Sequence, residues 1–173
     1  MTELLHATEA QAGQTPSGLA ARPGVSEAEV LTAVQRVDDP EYPGVSIVDL
    51  GLLEEFAVDG VSVRVGLIPT FSGCPALAMI ADDVRQAVLA VPGVEHVDVD
   101  WLRSPVWTVD RMTPKARTLV AREFTVAVRI GGVDPACPLC GAPTAHESLF
   151  GPSRCRSVSR CTACGETVEV LRS

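Results

Sequence analysis

The sequence predicts an α+β protein: a small two-layer domain with the order α-β-β-α-β, followed by a short cysteine-rich domain. An Asp59-Gly60 pair separates two stretches of high β propensity, and helical periodicity occurs on both sides of that hairpin. Two Cys-x-x-Cys-Gly motifs lie near the C-terminus. The expected divisions are a disordered tail at 1–24, the α+β domain at 25–131 and the cysteine-rich domain at 135–173.

Bulk composition limits the function classes. Of the 173 residues, 46% are hydrophobic and only 4% aromatic, so aliphatic side chains must build the core. The net charge of −8 disfavours nucleic-acid binding, which needs a basic face to replace counterions. The N-terminus lacks a signal-peptide pattern, and no stretch approaches the roughly 18 apolar residues of a membrane span. A cytoplasmic location is therefore expected, where cysteines are more often metal ligands or reactive thiols than disulfides.

The first half of the α+β domain has clear boundaries. Ser26 and Glu29 have capping-box spacing, which predicts a helix start, and Pro40 prevents that helix from continuing. Residues 61–67 alternate between apolar and smaller or polar side chains, as a half-buried strand does. Residues 74–91 have apolar side chains at helical spacing, so a second amphipathic helix is expected there.

The second half contributes two more strands and a short helix. Residues 93–102 alternate again, which predicts a strand. Thr113 and Pro114 form a helix start, because proline is favoured at the first helical position. Residues 124–130 indicate one more strand, and 131–136 form the expected linker to the cysteine-rich domain.

The two Cys-x-x-Cys-Gly motifs predict a zinc ribbon. Each motif brings two thiolates to one ion, and the glycine after the second cysteine permits the positive φ of that turn. Zinc binding would supply on the order of 10–16 kcal/mol, enough to fold a unit of this size. A rubredoxin-like iron site and a nucleic-acid-binding ribbon are the alternatives. The four predicted ligands are Cys137, Cys140, Cys161 and Cys164.

The cysteine-rich domain also contains a fifth cysteine, Cys155, that a four-thiolate site does not need. Arg154, Arg156 and Arg160 flank it in sequence, and nearby cations would favour its thiolate form. It is either an inert, small apolar residue or a transient ligand or exchangeable thiol.

The sixth cysteine, Cys74, lies between a predicted strand and a predicted helix. With Pro75 as the first helical residue, Cys74 would be the N-cap, where the helix dipole lowers a thiol pKa. It is either a reactive or metal-handling thiol or a buried structural one. Asp49 is an isolated carboxylate in an apolar run, and it either caps a turn or has a chemical role.

Three segments carry a family resemblance. DDPEYPGVSIVDLGLL, TFSGCPALAMIADDV and LRSPVWTVDRMTPKAR resemble the iron–sulfur assembly domain family related to SufT, over roughly 26–125. With a ribbon containing FGPSRC, the whole chain resembles the PaaD (PaaJ) subgroup, the D components of bacterial 1,2-phenylacetyl-CoA epoxidases. After the last cysteine pair the chain reads GETVEVLRS, whereas the subgroup usually continues with an aromatic-rich segment.

The resemblance implies an accessory role in phenylacetate catabolism. It implies a non-catalytic factor that assists iron or iron–sulfur cluster assembly in the oxygenase or reductase subunits of the epoxidase. Cys74 becomes the leading candidate for handling iron or a transient cluster, with Asp49, Thr70 and Cys155 beside it in the motifs. One cysteine cannot hold a cluster alone, so a homodimer or a partner protein would have to share it.

Two other functions remain open. A zinc-stabilised adaptor would bind oxygenase subunits without ever carrying iron. A thiol–disulfide enzyme would use Cys74 with Cys155, which requires their Cα atoms to lie within about 7 Å.

Overall fold

The computed structural model describes residues 24–124 and 126–171. The predicted tail at 1–24 lies, except for its last residue, outside them. The helices and strands follow in the order α1 Glu27–Val34, β1 Asp38–Asp39, β2 Tyr42–Ser46, β3 Leu53–Asp59, β4 Ser62–Leu67, α2 Leu77–Leu89, β5 His96–Trp101, α3 Pro114–Glu123, β6 Val126–Val128, β7 Thr144–Ser148, β8 Arg156–Cys161 and β9 Thr167–Leu171, with a 3-10 turn at Val109–Arg111 before α3.

The predicted hairpin supplies two of the three strands of the first domain's main sheet. β3 and β4 pair antiparallel around Gly60, with Asp59 opposite Ser62. α2 then crosses over to β5, which pairs parallel with β4, so the strand order is β3-β4-β5. This β-α-β crossover places α2 against β5 and α1 against α2. The predicted α+β class is confirmed.

Local capping agrees with the sequence at two of the three helices. The Ser26 side chain accepts a hydrogen bond from the Glu29 amide (3.4 Å), and Thr113 accepts one from the Ala116 amide (3.1 Å). α2 differs, because its N-cap is Ala76 and no side chain caps it. The prediction that Cys74 is the N-cap of this helix is therefore wrong. The chain makes a further turn after Pro75 before the helix begins at Leu77.

β6 joins the second sheet instead of the first. It pairs parallel with β9, and the sheet order is β6-β9-β8-β7. Its alternating side chains divide between two apolar cores: Val126 belongs to the main core and Ala127 to the smaller ribbon core. The strand at β6 was predicted correctly, but its partner β9 lies in the cysteine-rich domain, on the other side of the expected linker at 131–136. The two domains are therefore joined through a shared strand.

No helix in the ranges that the structure describes combines the length and the apolarity needed to cross a bilayer.

Candidate functional site

The four ribbon cysteines converge on one point. Their Sγ atoms all lie within 4.8 Å of one another. The Sγ separations are 3.9 Å for Cys137–Cys164, 3.4 Å for Cys140–Cys161 and 3.6 Å for Cys140–Cys164. A tetrahedral zinc ion with Zn–S bonds of about 2.3 Å would hold its sulfurs about 3.8 Å apart. The donor set and its spacing therefore fit one structural Zn²⁺.

Both cysteine pairs use the same backbone turn. The Gly141 amide donates to the Cys137 carbonyl (2.8 Å), and the Gly165 amide donates to the Cys161 carbonyl (3.2 Å). Both glycines have positive φ, 74° and 73°, as the sequence motif predicts. In the second turn, hydrogen bonds from the Cys164 and Ala163 amides lower the pKa of Cys161 to about 6. The thiolate, the form that binds a metal, is therefore favoured at Cys161. At Cys164 a hydrogen bond from the Glu166 amide lowers the pKa, but hydrogen bonds with the neighbouring thiols and burial raise it to about 12.

Cys155 is not part of this centre. It is 5% exposed, belongs to the main apolar core, and its Sγ donates to Glu41 Oε2 at 3.3 Å. Glu41 lies in the turn between β1 and β2, so this bond joins the ribbon to the first domain. Four of the ribbon's five thiols converge on one point, and the fifth lies in the domain junction.

The environment of Cys155 is the opposite of the one predicted. Burial and the Glu41 carboxylate raise the pKa of Cys155 to about 12. Arg156 is close but is held by other partners, and Arg160 bonds to Glu147 at the far end of the strand. Arg156 does lower the pKa of Cys155, as the flanking arginines were predicted to do, but burial and the Glu41 carboxylate outweigh this effect. The residues flanking Cys155 in sequence do not reveal Glu41, whose carboxylate reaches the sulfur from the turn between β1 and β2.

Cys74 shows a similar reversal. It is partly buried in the loop before α2, and burial raises its pKa. The Ala76 amide donates a hydrogen bond that opposes this effect, while the carboxylates of Glu41 and Asp39 add to it. The predicted low pKa of Cys74 is wrong, because the fold brings two acidic side chains to this thiol.

Cys74, Cys155 and Thr70 nevertheless line one small cavity, which we call the thiol cavity. Its volume is about 10 Å³, room for roughly one water-sized sphere. Asp39 and Glu41 supply its carboxylates, and apolar side chains close the remainder. The apolar and aromatic lining consists of Tyr42, Leu50, Leu52, Leu77, Ile80 and Leu171.

Sequence reasoning missed the two carboxylates. Asp39 and Glu41 were considered only as part of the segment that ends the first helix. Asp39 is 9% exposed, and burial raises its pKa. Its Oδ1 accepts a hydrogen bond from the Glu41 amide (2.8 Å), which holds the turn. The available signal was the sequence Asp39-Pro40-Glu41, in which two carboxylates flank the proline that ends the first helix.

Asp49 lies elsewhere. Its Oδ1 accepts from Thr113 Oγ1 (3.3 Å), its Oδ2 faces Lys115 Nζ (3.4 Å), and its carbonyl accepts from the Thr113 amide (2.9 Å). These contacts tie the turn after β2 to the start of α3. The structure does not bring Asp49 into the thiol cavity.

A second, larger groove adjoins the cavity. It has a volume of about 760 Å³ and shares Thr70 and Leu77 with the thiol cavity. Trp101, Arg103 and Val106 line its other side. The loop that carries Cys74 therefore separates a small, acidic, thiol-lined cavity from an open apolar groove.

Comparison with known proteins matches each half of the chain to a different family model and most of the chain to one relative. Residues 27–101 match the family model described as "Iron-sulfur cluster assembly protein", and 127–172 match the "PaaD zinc beta ribbon domain". The chain is 32% identical over 152 residues to the D component of the "Putative 1,2-phenylacetyl-CoA epoxidase" of Escherichia coli, covering 83% of this chain and 91% of that protein.

Two further relatives match about half of the chain. The "Fe-S protein maturation auxiliary factor YitW" of Bacillus subtilis is 34% identical and covers 51% of this chain and 86% of its own. A crystal structure of a "Domain of Unknown Function DUF59" from Bacillus anthracis is 30% identical, with a TM-score of 0.52, and covers 55% of this chain and 91% of its own. The chain therefore belongs to the PaaD family, in which an iron–sulfur cluster assembly domain is followed by a zinc β-ribbon.

Proposed function

We propose that this protein is a maturation factor, without catalytic activity of its own, that supplies iron or an iron–sulfur cluster to a subunit of a phenylacetyl-CoA epoxidase in the cytoplasm. One observation carries the proposal: Cys74 and Cys155 line an acidic cavity that is separate from the four-cysteine centre. The names of the two relatives, an epoxidase component and an iron–sulfur maturation factor, support the choice of client and cargo.

The two sulfur sites have different tasks. Cys137, Cys140, Cys161 and Cys164 would hold a resident Zn²⁺, which has no redox chemistry and supplies folding energy to the ribbon. Cys74 is partly exposed and would contact the cargo during transfer. Thr70, on the strand side of the same loop, lines both the cavity and the groove and so lies on the path between them.

The groove would receive the client. It is open and lined by apolar side chains beside the guanidinium of Arg103, which suits a protein surface that combines apolar and acidic groups. The oxygenase and reductase subunits of the epoxidase are the candidate clients. This contact would bring a client ligand to the Cys74 loop.

The test is to produce the epoxidase subunits with either the wild-type chain or Cys74→Ala and to measure the iron content of each purified subunit. We expect client iron to fall at least about 10-fold with Cys74→Ala, the loss typical of a disrupted metal site. The zinc content of the variant should stay at the wild-type level. Wild-type client iron with a zinc-loaded Cys74→Ala chain would refute the role of Cys74.

A second candidate function is a zinc-stabilised adaptor that never carries iron. The raised pKa of both cavity thiols and the small volume favour it, because neutral buried thiols bind metals poorly. It predicts that the oxygenase and reductase subunits still assemble with Cys74→Ala and lose assembly when the groove is altered, for example by Val106→Asp. Loss of client iron with intact assembly would exclude it.

A further inference from the structure

The geometry points to a second metal site, formed by the two domains together, that binds a single ferrous ion through Cys74, Cys155 and Glu41, with Asp39 as an additional carboxylate ligand. This inference rests on the proposed function and specifies the cargo as a mononuclear Fe²⁺ ion instead of a cluster.

The donor set selects the class of ion. Two thiols and two carboxylates line the same cavity, and this mixture of soft and hard donors suits a borderline divalent cation such as Fe²⁺. The cavity has room for roughly one water-sized sphere, so it can take one ion but not a four-iron cluster.

Glu41 is the residue that joins the two halves of the site. One of its oxygens, Oε1, accepts from Ser153 Oγ (2.8 Å), and the other, Oε2, accepts from the Cys155 thiol (3.3 Å). A carboxylate that already accepts a thiol proton can replace that contact with a shared metal ion.

The site is not closed around an ion. Within 24–124 and 126–171, the ribbon cysteines are the only group of three or more ligands whose donor atoms lie within 4.8 Å. Binding at the thiol cavity therefore requires its donor atoms to move closer together around the ion. Arg156 also pairs with Glu41 Oε2 (3.6 Å), besides its bonds to Glu169 (2.7 Å) and Tyr42 (3.0 Å), so a metal ion at Oε2 would replace this guanidinium contact.

The binding step balances without a redox partner. Fe²⁺ enters, two Fe–S bonds and one or two Fe–O bonds form, and the two thiol protons leave to the solvent. The iron stays ferrous, and release to a client reverses the step as the client supplies ligands. A loosely closed site of this kind would hold the ion reversibly.

The test uses the zinc-loaded full-length chain under anaerobic conditions, with Co²⁺ as a spectroscopic probe for Fe²⁺. We expect the wild type to bind about one Co²⁺ beside its zinc, with thiolate-to-cobalt absorption, and to release about two protons. Cys155→Ser and Glu41→Gln should each weaken Co²⁺ binding at least about 10-fold. Ser153→Ala, which removes a Glu41 partner but no ligand, should bind Co²⁺ as the wild type does.

Three outcomes would overturn the inference: no Co²⁺ bound beyond the zinc content in the wild type, unchanged binding in Cys155→Ser and Glu41→Gln, or binding without proton release. Retained zinc in each variant shows that the ribbon is folded. Because Cys74 is only partly buried, Cys74→Ser removes a proposed ligand without changing a residue of the buried core.

Metal binding by the isolated chain and iron content of the client distinguish an error in the metal site from an error in the proposed function. If the wild type binds no second metal but Cys74→Ala still lowers client iron, the maturation role stands and the mononuclear site is wrong. If the second metal binds and client iron is unaffected by Cys74→Ala, the site exists but does not serve delivery.

Discussion

Replacing Arg156 by alanine tests how the two domains are held together. Arg156 Nε donates to Tyr42 Oη (3.0 Å), Nη1 donates to Glu169 (2.7 Å), and the guanidinium carbon lies 4.9 Å from the centroid of the Tyr42 ring. The side chain is only 13% exposed. Its loss would leave the Glu169 carboxylate in a partly buried position without its cation.

The same strand contains a matched control. Arg160 also lies on β8 and bonds to a carboxylate, Glu147, at 3.0 Å, but these two side chains are 52% and 44% exposed. Exposed pairs contribute about 0–1 kcal/mol. Breaking a buried pair costs about 3–5 kcal/mol, which we reduce to about 2–3 kcal/mol because Glu169 is 28% exposed. Arg156→Ala should therefore lower the free energy of unfolding by about 2 kcal/mol more than Arg160→Ala.

Urea unfolding of the zinc-loaded protein measures this difference. Both tryptophans, Trp101 and Trp107, lie in the first domain, so their fluorescence follows that domain while far-ultraviolet circular dichroism follows the whole chain. With Arg156→Ala the two signals should separate, because the junction no longer couples the domains. Equal loss of stability in Arg156→Ala and Arg160→Ala, with coincident transitions, would refute the reasoning.

Three further predictions use other parts of the molecule. Removing zinc with a strong chelator should unfold the ribbon, because a four-thiolate site supplies most of the ribbon's folding energy. Limited proteolysis measures this, and unchanged protease resistance of the ribbon after zinc removal would contradict it. Gly51→Ala should cost about 2–4 kcal/mol more than Gly60→Ala in urea unfolding. Both glycines have positive φ. A Cβ at Gly51 would lie 2.5–2.7 Å from atoms of Arg111, including its backbone, whereas a Cβ at Gly60 would meet no described atom within 4 Å. Equal losses of unfolding free energy in the two variants would show that this clash does not occur. Alkylation of Cys155 should be about a thousand-fold slower at pH 8 than for a thiol with the ordinary pKa of 9.0, because the pKa is raised to about 12 and less thiolate is present. Its rate, followed by mass spectrometry, should keep rising above pH 10, and a plateau near pH 9 would contradict the raised pKa.

The sequence was most informative where chemistry is set by local spacing. Two residues between the cysteines of each pair and a glycine after them determine the ribbon turns, so the convergence of the four sulfurs could be predicted. The Asp59-Gly60 turn and the Thr113 cap are likewise decided within four residues. Such features need no knowledge of the tertiary fold.

The thiol cavity could not be predicted in this way. Glu41 and Cys155 are 114 residues apart, and nothing in either segment specifies the other. The expected low pKa of Cys74 was argued from its own helix alone. It is wrong because burial raises the pKa, because β1 and the turn after it bring Asp39 and Glu41 to the thiol, and because the helix begins only at Leu77.

The position of β6 explains why this cavity belongs to the two domains together. The match to the iron–sulfur cluster assembly model, 27–101, contains Glu41 and Cys74, while the match to the zinc ribbon model, 127–172, contains Cys155. Each domain alone therefore supplies one thiol, and β6 pairing with β9 keeps the two thiols at the same junction. A free assembly domain cannot form this pair of thiols within itself. It follows that the ribbon is not packed independently of the first domain: it places Cys155 in the lining of a cavity whose other thiol, Cys74, comes from the first domain.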